Sequence, residues 1–520
     1  MEIPGGGNPR HTRAGTAVKN STRREFIAAS AGAVALSAAI FRSTQGLFTQ
    51  MGQLAGIGVE RPLDGRLTPP RAGEIDPVSH ALSRLTFGPG PGDHARVTAM
   101  GVQAFIEEQL APEKMDDSLC ERATARFCDV GYEPLGEHYD EDPEALPPVL
   151  RRVTLLRAIY SERQLFEVMC EFWSDHFNID PGKGDCRWTK TTDDADVIRK
   201  HALGNFRELL RASALSPAML WYLDGRANVK RSASEKPNEN YARELMELHT
   251  LGVHGGYSQD DVMEVARCLT GWTIHARKDD GYAGTLLSPL TDRAAVFFRS
   301  KAHDDGAKRV LGHDIPAGLG EGDLDRVIEI VGGHASTAQF IARKLCVRFI
   351  ADEPSAAAVE SVASAFSAGK GDIKTTLRAL FATPEFTASA GMKLKRPFHF
   401  IVSALRATNA STTADRPLLS YLERMGHMPF RWPTPDGYPA SAAHWRATLL
   451  WRWNFALALA NDHIGGTSIQ RVRLQARIGS DVGLMATLLG RQPRAEESDA
   501  WLKSGDGLAL MIASPAFQRC

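Results

Sequence analysis

The stretch of sequence that decides the fold spans residues 165–177 and reads Leu165-Phe166-Glu167-Val168-Met169-Cys170-Glu171-Phe172-Trp173-Ser174-Asp175-His176-Phe177. Its apolar residues recur every three to four positions, which is the period of an amphipathic helix. On the same helical wheel Glu167, Glu171 and Asp175 form an acidic stripe, which is typical of a solvated face. His176 projects from the apolar face, where a histidine is more often a hydrogen-bonded core residue than a ligand. We nevertheless keep His176 as a candidate catalytic residue.

Helical periodicity continues on both sides of this stretch. The sequence therefore predicts a mainly α fold, with one large multi-helix domain over residues 77–515. Near 272–315 the pattern changes, and glycine, aspartate and aromatic residues alternate with short apolar runs. This change predicts a small β-ribbon excursion from the helical domain.

A second helix is predicted for Asn238-Glu239-Asn240-Tyr241-Ala242-Arg243-Glu244-Leu245-Met246-Glu247-Leu248-His249-Thr250-Leu251-Gly252. Asn238 can cap its start, and Gly252 can adopt the left-handed conformation after its end. Three carboxylates lie within nine residues around a single arginine, and oxygen ligands of this kind could bind a divalent cation. The same residues could equally form a buried ion-pair network or an exposed ladder of salt bridges.

These two helices predict a polar site between them. A cavity shared by the histidine of the first helix and the carboxylates of the second would indicate an enzyme, whereas a closed ion-pair network would indicate a structural role. The candidates are His176, Arg243 and Glu247 as catalytic residues, Glu239, Glu244 and Glu247 as metal ligands, and Asp224 and Asn240 as cofactor-binding residues. The turns His303–Lys308 and Pro435–Tyr438 are secondary candidates, although such sequences are more often ordinary turns.

Composition and missing motifs exclude several classes of function. The formal net charge is -1, which argues against a nucleic-acid-binding protein, since such proteins usually carry a basic surplus. The sequence has no GxSxG elbow, no P-loop and no GxGxxG motif, so the common hydrolase, ATP-binding and NAD-binding types are disfavoured. The cofactor is therefore unknown from sequence, and a divalent metal is one option.

The N-terminus predicts export. Arg23-Arg24 precedes an apolar stretch, and residues 1–45 have the pattern of a twin-arginine signal region. The apolar stretch has about 16 residues, fewer than the ~20 that a membrane-spanning helix needs. Residues 46–76 read as a linker rich in glycine and proline. We expect the twin-arginine export machinery as a partner, a periplasmic or extracellular location, and no membrane span in the mature chain.

An ordered set of motifs also resembles a known family. The motifs are His80–Pro89, Phe172–Phe177, Leu203–Leu210, Pro217–Asp224, Asn238–Leu245 and Thr270–Trp272. Together they resemble the large bacterial group catalogued as domain-of-unknown-function 1800, over roughly residues 77 to 515. The resemblance implies an exported helical protein but no settled activity. Family members often carry phenylalanine at the position of His249, which favours His176 as the histidine of interest.

Two functions remain open at this level. The first is an exported metal- or cofactor-dependent enzyme, with redox chemistry slightly favoured over hydrolysis because twin-arginine passengers often acquire a cofactor before export. The second is a non-catalytic cell-envelope protein that binds a partner protein or a surface polymer. In the second case the carboxylates and Arg243 only fasten helices together.

Overall fold

The periodicity of the sequence corresponds to helices in the structure, a computed structural model that describes residues 59, 61, 74–127, 138, 141–232, 234–275 and 295–520. The predicted signal region, 1–45, lies outside these residues, and so does most of the predicted linker, 46–76. Gly58–Cys520 forms one compact unit. Within the described residues, no helix combines the length and the apolar character needed to cross a bilayer.

The first half of the domain is a series of short helices with clear start signals. Pro77 occupies the first position of the first helix, and the Asp76 side chain accepts a hydrogen bond from the Ser79 N–H at 2.7 Å, as expected of a capped start. The helices are Pro77–Leu85, Asp93–Met100, Val102–Gln109, Ser118–Thr124, Leu146–Tyr160, Gln164–His176, Cys186–Thr192, Phe206–Ala214, Pro217–Tyr222, Asn240–Glu244 and Gln259–Cys268.

The second half is also helical and reaches the C-terminal region. Its helices are Gly322–Gly332, Ala335–Phe349, Ala356–Ala368, Ile373–Phe381, Pro384–Ala388, Pro397–Ala407, Arg416–Arg424, Ala442–Trp445, Leu449–Ala460, Arg471–Ile478, Asp481–Leu489, Ala495–Lys503 and Gly507–Ala513. Short 3₁₀ turns connect several helices across the domain, at Pro112–Lys114, Ala125–Phe127, Gly225–Ala227, Ser300–Ala302 and Arg446–Thr448.

Among the described residues, two helical segments have π-helical geometry, Asp193–Arg199 and Leu245–Thr250. A π-helical turn holds more residues than an α-helical turn, so side chains beyond Glu244 leave the positions that a regular wheel assigns. The continuous α-helix predicted for residues 238–252 is therefore wrong in this part. His249 is fully buried as a result, while Glu247 stays half-buried.

In the part of the chain that the structure describes, the strands form three antiparallel ribbons of two strands each. Trp272–Ile274 pairs with Val296–Phe298, and Lys308–Val310 pairs with His313–Ile315. These two ribbons confirm the β excursion predicted near 272–315. The third ribbon, Ser411–Thr412 with Thr467–Ser468, has only two residues per strand, which is too short to show an alternating pattern in the sequence.

A buried ion cluster ties the second ribbon to the helices. The Asp323 carboxylate lies 2.6 Å from the Lys308 ammonium and 3.1 Å from His303 Nε2, and all three side chains are buried. His303 Nδ1 lies 2.9 Å from the carbonyl oxygen of Thr270. The polar turn at His303–Lys308 thus serves to join structural elements.

The Gln164–His176 helix runs through the centre of the core. Leu165, Val168, Met169 and Trp173 are fully buried, and the Trp173 indole N–H donates to the carbonyl oxygen of Ala202 at 3.0 Å. Both the π-helical segments and the Ala335–Phe349 helix contact it through side chains described below. The predicted helix is confirmed, and its last turn brings Asp175 and His176 to the candidate site.

Candidate functional site

The acidic stripe of the central helix is not a solvated face, contrary to the expectation from sequence. Glu167 is buried and pairs with Arg199 at 2.6 Å. Glu171 and Asp175 both pair with Arg396, at 2.7 and 2.6 Å, and their side chains are 13% and 21% exposed. Burial raises the pKa of Asp175 although Arg396 opposes this rise. Sequence reasoning missed the arginines, which arrive from other helices and neutralise the stripe.

His176 is held by contacts at both ring nitrogens. Its Nε2 lies 3.0 Å from the carbonyl oxygen of His249, and its Nδ1 lies 2.9 Å from the Lys344 ammonium. Because a carbonyl oxygen only accepts, Nε2 carries the hydrogen and Nδ1 accepts from Lys344. Burial, and then the positive charge of Lys344, lower the pKa of His176 well below its usual range. The ring is therefore neutral at physiological pH.

Lys344 lies on the Ala335–Phe349 helix and is half-buried. Burial lowers the pKa of its amine to about 8, although the carboxylates of Asp175 and Asp436 favour the charged form. No carboxylate of the described residues lies within ion-pair distance of Lys344, and its hydrogen-bond partner there is His176. A partly desolvated lysine bound to a neutral ring rather than to a counter-ion is a costly arrangement.

Lys344 and His176 face a cavity of about 390 Å³. Its described lining carries two side-chain carboxylates and a larger number of cationic side chains, namely Asp175, Asp436, Arg343, Lys344, Arg348, Lys393 and Arg396. Most of these cations are already neutralised, since Lys393 pairs with Asp352 at 2.6 Å, and Arg348 and Arg396 share Glu171. Two cations, Arg343 and Lys344, have no carboxylate partner among the described residues, and the buried Nε of Arg348 also lacks a hydrogen-bond partner there.

The Pro- and Gly-rich loop around Pro435–Tyr438 forms one wall of this cavity. The Asn178 amide donates to the carbonyl oxygens of Trp432 and Thr434, at 2.9 and 2.8 Å. Gly437 has φ +74° and lies so close to the central helix that an added Cβ would overlap the carbonyl oxygen of Asp175. The loop is therefore more than an ordinary turn, because it brings the Asp436 side chain to the cavity.

The predicted carboxylate cluster lies elsewhere. Glu239 pairs with Arg243 at 2.9 Å, with side chains 39% and 35% exposed, and Glu239 also accepts from the Gln259 amide at 2.7 Å. The hydrogen bond from Arg243 lowers the pKa of Glu239. An exposed ion pair of this kind contributes about 0.2–1 kcal/mol at most. This part of the cluster has the geometry of the exposed salt-bridge alternative.

Glu244 and Glu247, the other two predicted metal ligands, are half-buried. No ion pair or hydrogen bond joins their side chains to another described residue, and burial followed by the charge of Glu247 raises the pKa of Glu244. Across the described residues, no group of three or more His, Cys, Asp and Glu side chains is arranged to hold a metal ion. A metal at Glu239, Glu244 and Glu247 stays a prediction.

The two predicted cofactor-binding residues make local contacts. Asp224 has φ +59° and pairs with Lys183 at 3.2 Å on the surface. The Asn240 amide donates to the carbonyl oxygen of Leu223 at 3.0 Å, which ties the helix start to the preceding segment. Of the residues predicted as catalytic, metal-ligating or cofactor-binding, His176 alone is among the described residues that line the cavity.

A family model covers most of the helical domain. A family model described as "Protein of unknown function (DUF1800)" matches residues 80–519. The chain belongs to this family, as its motifs indicated. No curated protein and no solved structure matches the chain, so the site has to be interpreted from its own geometry.

Proposed function

We propose that the protein is an exported enzyme that binds a small anionic substrate in the cavity beside His176. The observation that carries this proposal is Lys344, a half-buried amine at the cavity whose partner among the described residues is a neutral histidine. An anionic ligand would supply the missing counter-charge. The cavity volume of about 390 Å³ is within the range of small-molecule sites.

Charge and geometry together favour an anion over a neutral or cationic ligand. The carboxylates Glu171 and Asp175 form their ion pairs with Arg396, so Lys344 receives from Asp175 only a longer-range attraction and no ion pair. Arg343 reaches solvent and Lys344 is half-buried. A carboxylate or phosphate group between them would gain charge-assisted hydrogen bonds, which are the strongest kind in proteins.

Lys344 is also suited to proton transfer. A general acid or base works best when its pKa is near the operating pH, and burial places the pKa of Lys344 at about 8. His176 cannot easily take a proton, because its own pKa is far lower. We therefore assign the proton transfer to Lys344 and the orientation of its amine to His176. The class of reaction is proton transfer to or from an anionic substrate.

Export is supported by the sequence, through Arg23-Arg24 and the apolar residues that follow. We propose the twin-arginine route and a periplasmic or extracellular location. Fractionation of the producing cells tests this. The wild-type chain is expected outside the cytoplasm, and a variant with Arg23→Lys and Arg24→Lys is expected inside. Equal distribution of the two chains would refute the export proposal without affecting the cavity.

Ligand binding is tested by thermal shift and calorimetry with inorganic phosphate and succinate as anionic probes. We expect at least one probe to stabilise the wild-type protein. A Lys344→Met variant should bind about 10- to 100-fold more weakly, because a hydrogen bond to a charged group contributes about 1.5–3 kcal/mol. Lys503→Met is the matched control, since Lys503 is 79% exposed and distant in sequence. Equal affinity in all three proteins would overturn the proposal.

A further inference from the structure

A second surface has an unusual composition, the helix Leu449–Ala460. It reads Leu449-Leu450-Trp451-Arg452-Trp453-Asn454-Phe455-Ala456-Leu457-Ala458-Leu459-Ala460. Its single charged side chain points inward, since Arg452 is buried and donates to Thr448 Oγ1 at 2.9 Å and to the Lys395 carbonyl oxygen at 2.8 Å. The outward side therefore has no charged residue of its own.

A helix that is apolar on all sides is normally buried on all sides. Here Phe455 and Leu459 pack into the core, but the opposite side faces solvent. The outer stripe consists of Leu449, Leu450, Trp453 and Leu457, which are 50%, 66%, 40% and 45% exposed. These four are among only ten large apolar side chains that are exposed in the described part of the chain. Such clustering marks an interaction surface.

The charged residues near the N-terminal end of the outer stripe include two arginines. No aspartate or glutamate occurs between Asp436 and Asp462. Arg446 is exposed just before the helix begins, and the Arg424 guanidinium lies 4.5 Å from the centre of the Trp451 ring. At the other end, the Asp462 carboxylate is occupied by the Ile469 N–H at 2.6 Å.

We infer that the outer stripe is a docking surface for an anionic lipid membrane. Leucine and tryptophan side chains bury in the boundary between headgroups and acyl chains, and arginines at the rim are attracted to anionic headgroups. A second copy of the chain fits less well. A stable protein interface buries about 800 Å² on each partner, and four partly exposed side chains on one helix fall short of that. This inference is independent of the cavity.

The test is co-sedimentation of the purified full chain with vesicles of phosphatidylcholine, with or without phosphatidylglycerol. We expect binding to the anionic vesicles, weakened by salt, and at least tenfold weaker binding by Leu450→Glu. Leu502→Glu is the matched control, because Leu502 is 75% exposed on a different helix. All three proteins keep the apolar N-terminal segment, so any binding by that segment is common to them. Melting temperatures verify that both variants fold.

Three outcomes would overturn the inference. Wild-type protein found only in the supernatant would rule out docking. Equal binding by Leu450→Glu and Leu502→Glu would assign the binding to another part of the chain. A dimer seen by analytical ultracentrifugation and abolished by Leu450→Glu would assign the outer stripe to a second copy. An Arg446→Gln variant adds a further criterion, since it should reduce the preference for anionic over neutral vesicles.

Discussion

Replacing Lys344 by methionine tests whether the amine beside His176 is held at a cost to folding. Methionine keeps the length of the side chain and removes its charge. In the folded protein burial lowers the pKa of Lys344 from 10.5 to about 8. Below pH 8 the charged amine is therefore less favourable in the folded state than in the unfolded chain, and the cost is fully present. Between pH 8 and 10.5 the folded protein loses this proton first, so its stability rises with pH.

The size of the effect follows from these values. Between pH 7 and pH 10 the cost falls by about 2.5 kcal/mol if the whole difference in pKa applies. Partial exposure of Lys344 reduces this to roughly 1–2 kcal/mol, because solvent screens the charge. The variant also loses the hydrogen bond to His176 Nδ1. The strength of that hydrogen bond changes only with the protonation of Lys344, and the pKa of Lys344 already includes this change, since His176 itself has a far lower pKa.

Urea unfolding from pH 7 to pH 10 measures the effect as a difference between wild type and Lys344→Met. Across this range the free energy of unfolding of the wild-type protein should rise by roughly 1–2 kcal/mol more than that of the variant. For the control Lys503→Met, which replaces an exposed side chain, the free energy of unfolding should change with pH as it does for wild type. Parallel curves for Lys344→Met would show that Lys344 is fully solvated or paired, and would refute the reasoning behind the proposed site.

Three further predictions concern the frame of the site. Gly437→Ala should destabilise the protein by more than the roughly 1–2 kcal/mol that a non-glycine residue costs in the left-handed conformation, because the added Cβ overlaps the central helix. The control is Gly426→Ala, because Gly426 has φ +71° and no atom within 4 Å of an added Cβ. In thermal unfolding this control should show the conformational cost alone. Asp323→Ala should cost about 3–5 kcal/mol in urea unfolding, because it leaves the buried Lys308 ammonium without its carboxylate and removes the hydrogen-bond partner of His303 Nε2. If Glu244 and Glu247 hold a divalent cation, Mg²⁺ or Mn²⁺ will raise the melting temperature of wild type but not of Glu244→Ala plus Glu247→Ala; equal shifts would refute that site.

Much of the helical architecture could be predicted because its signals are local. The apolar periodicity of the sequence predicts helices over residues 150–172, Ile373–Phe381 and Pro397–Ala407. The last two have the predicted bounds, and Ile373–Phe381 begins at an Asp372 side chain that accepts from the Thr375 N–H at 2.7 Å. Such a cap lies within one turn of the helix it starts. Periodicity and capping together need no information from distant parts of the chain.

The errors arose where a distant residue decides the local structure. The predicted helix 150–172 is interrupted between Tyr160 and Gln164. There the Asp117 carboxylate accepts from the Glu162 N–H at 2.7 Å and from the Ser161 hydroxyl at 3.0 Å. These bonds replace helical ones, and nothing near residue 161 reveals them. The π-helical turn at Leu245–Thr250 is likewise set by packing rather than by a local motif.

The candidate site was predictable only in part, for the same reason. His176 could be chosen from its own helix, but its partner Lys344 is 168 residues further along the chain. The basic residues at 343, 344 and 348 share one helix, and those at 393, 395 and 396 form a second basic run. These two sequence features could have suggested a cationic wall. The carboxylates of the second helix were predicted as metal ligands because three of them lie within nine residues of the sequence. In the structure Glu239 forms an exposed ion pair with Arg243.

The arrangement of charges itself argues for a ligand. Glu171 and Asp175 neutralise Arg396 with short contacts of 2.7 and 2.6 Å. These acidic groups of the central helix therefore form ion pairs with Arg396 and not with Lys344. Lys344, facing the cavity, is left with an uncharged partner. A core under selection for stability alone would replace such a lysine, since most proteins can gain stability at sites of this kind. A cation that lines a cavity without an ion-pair partner is a feature of sites where function opposes stability. An anion from solution is the group that would supply the missing partner.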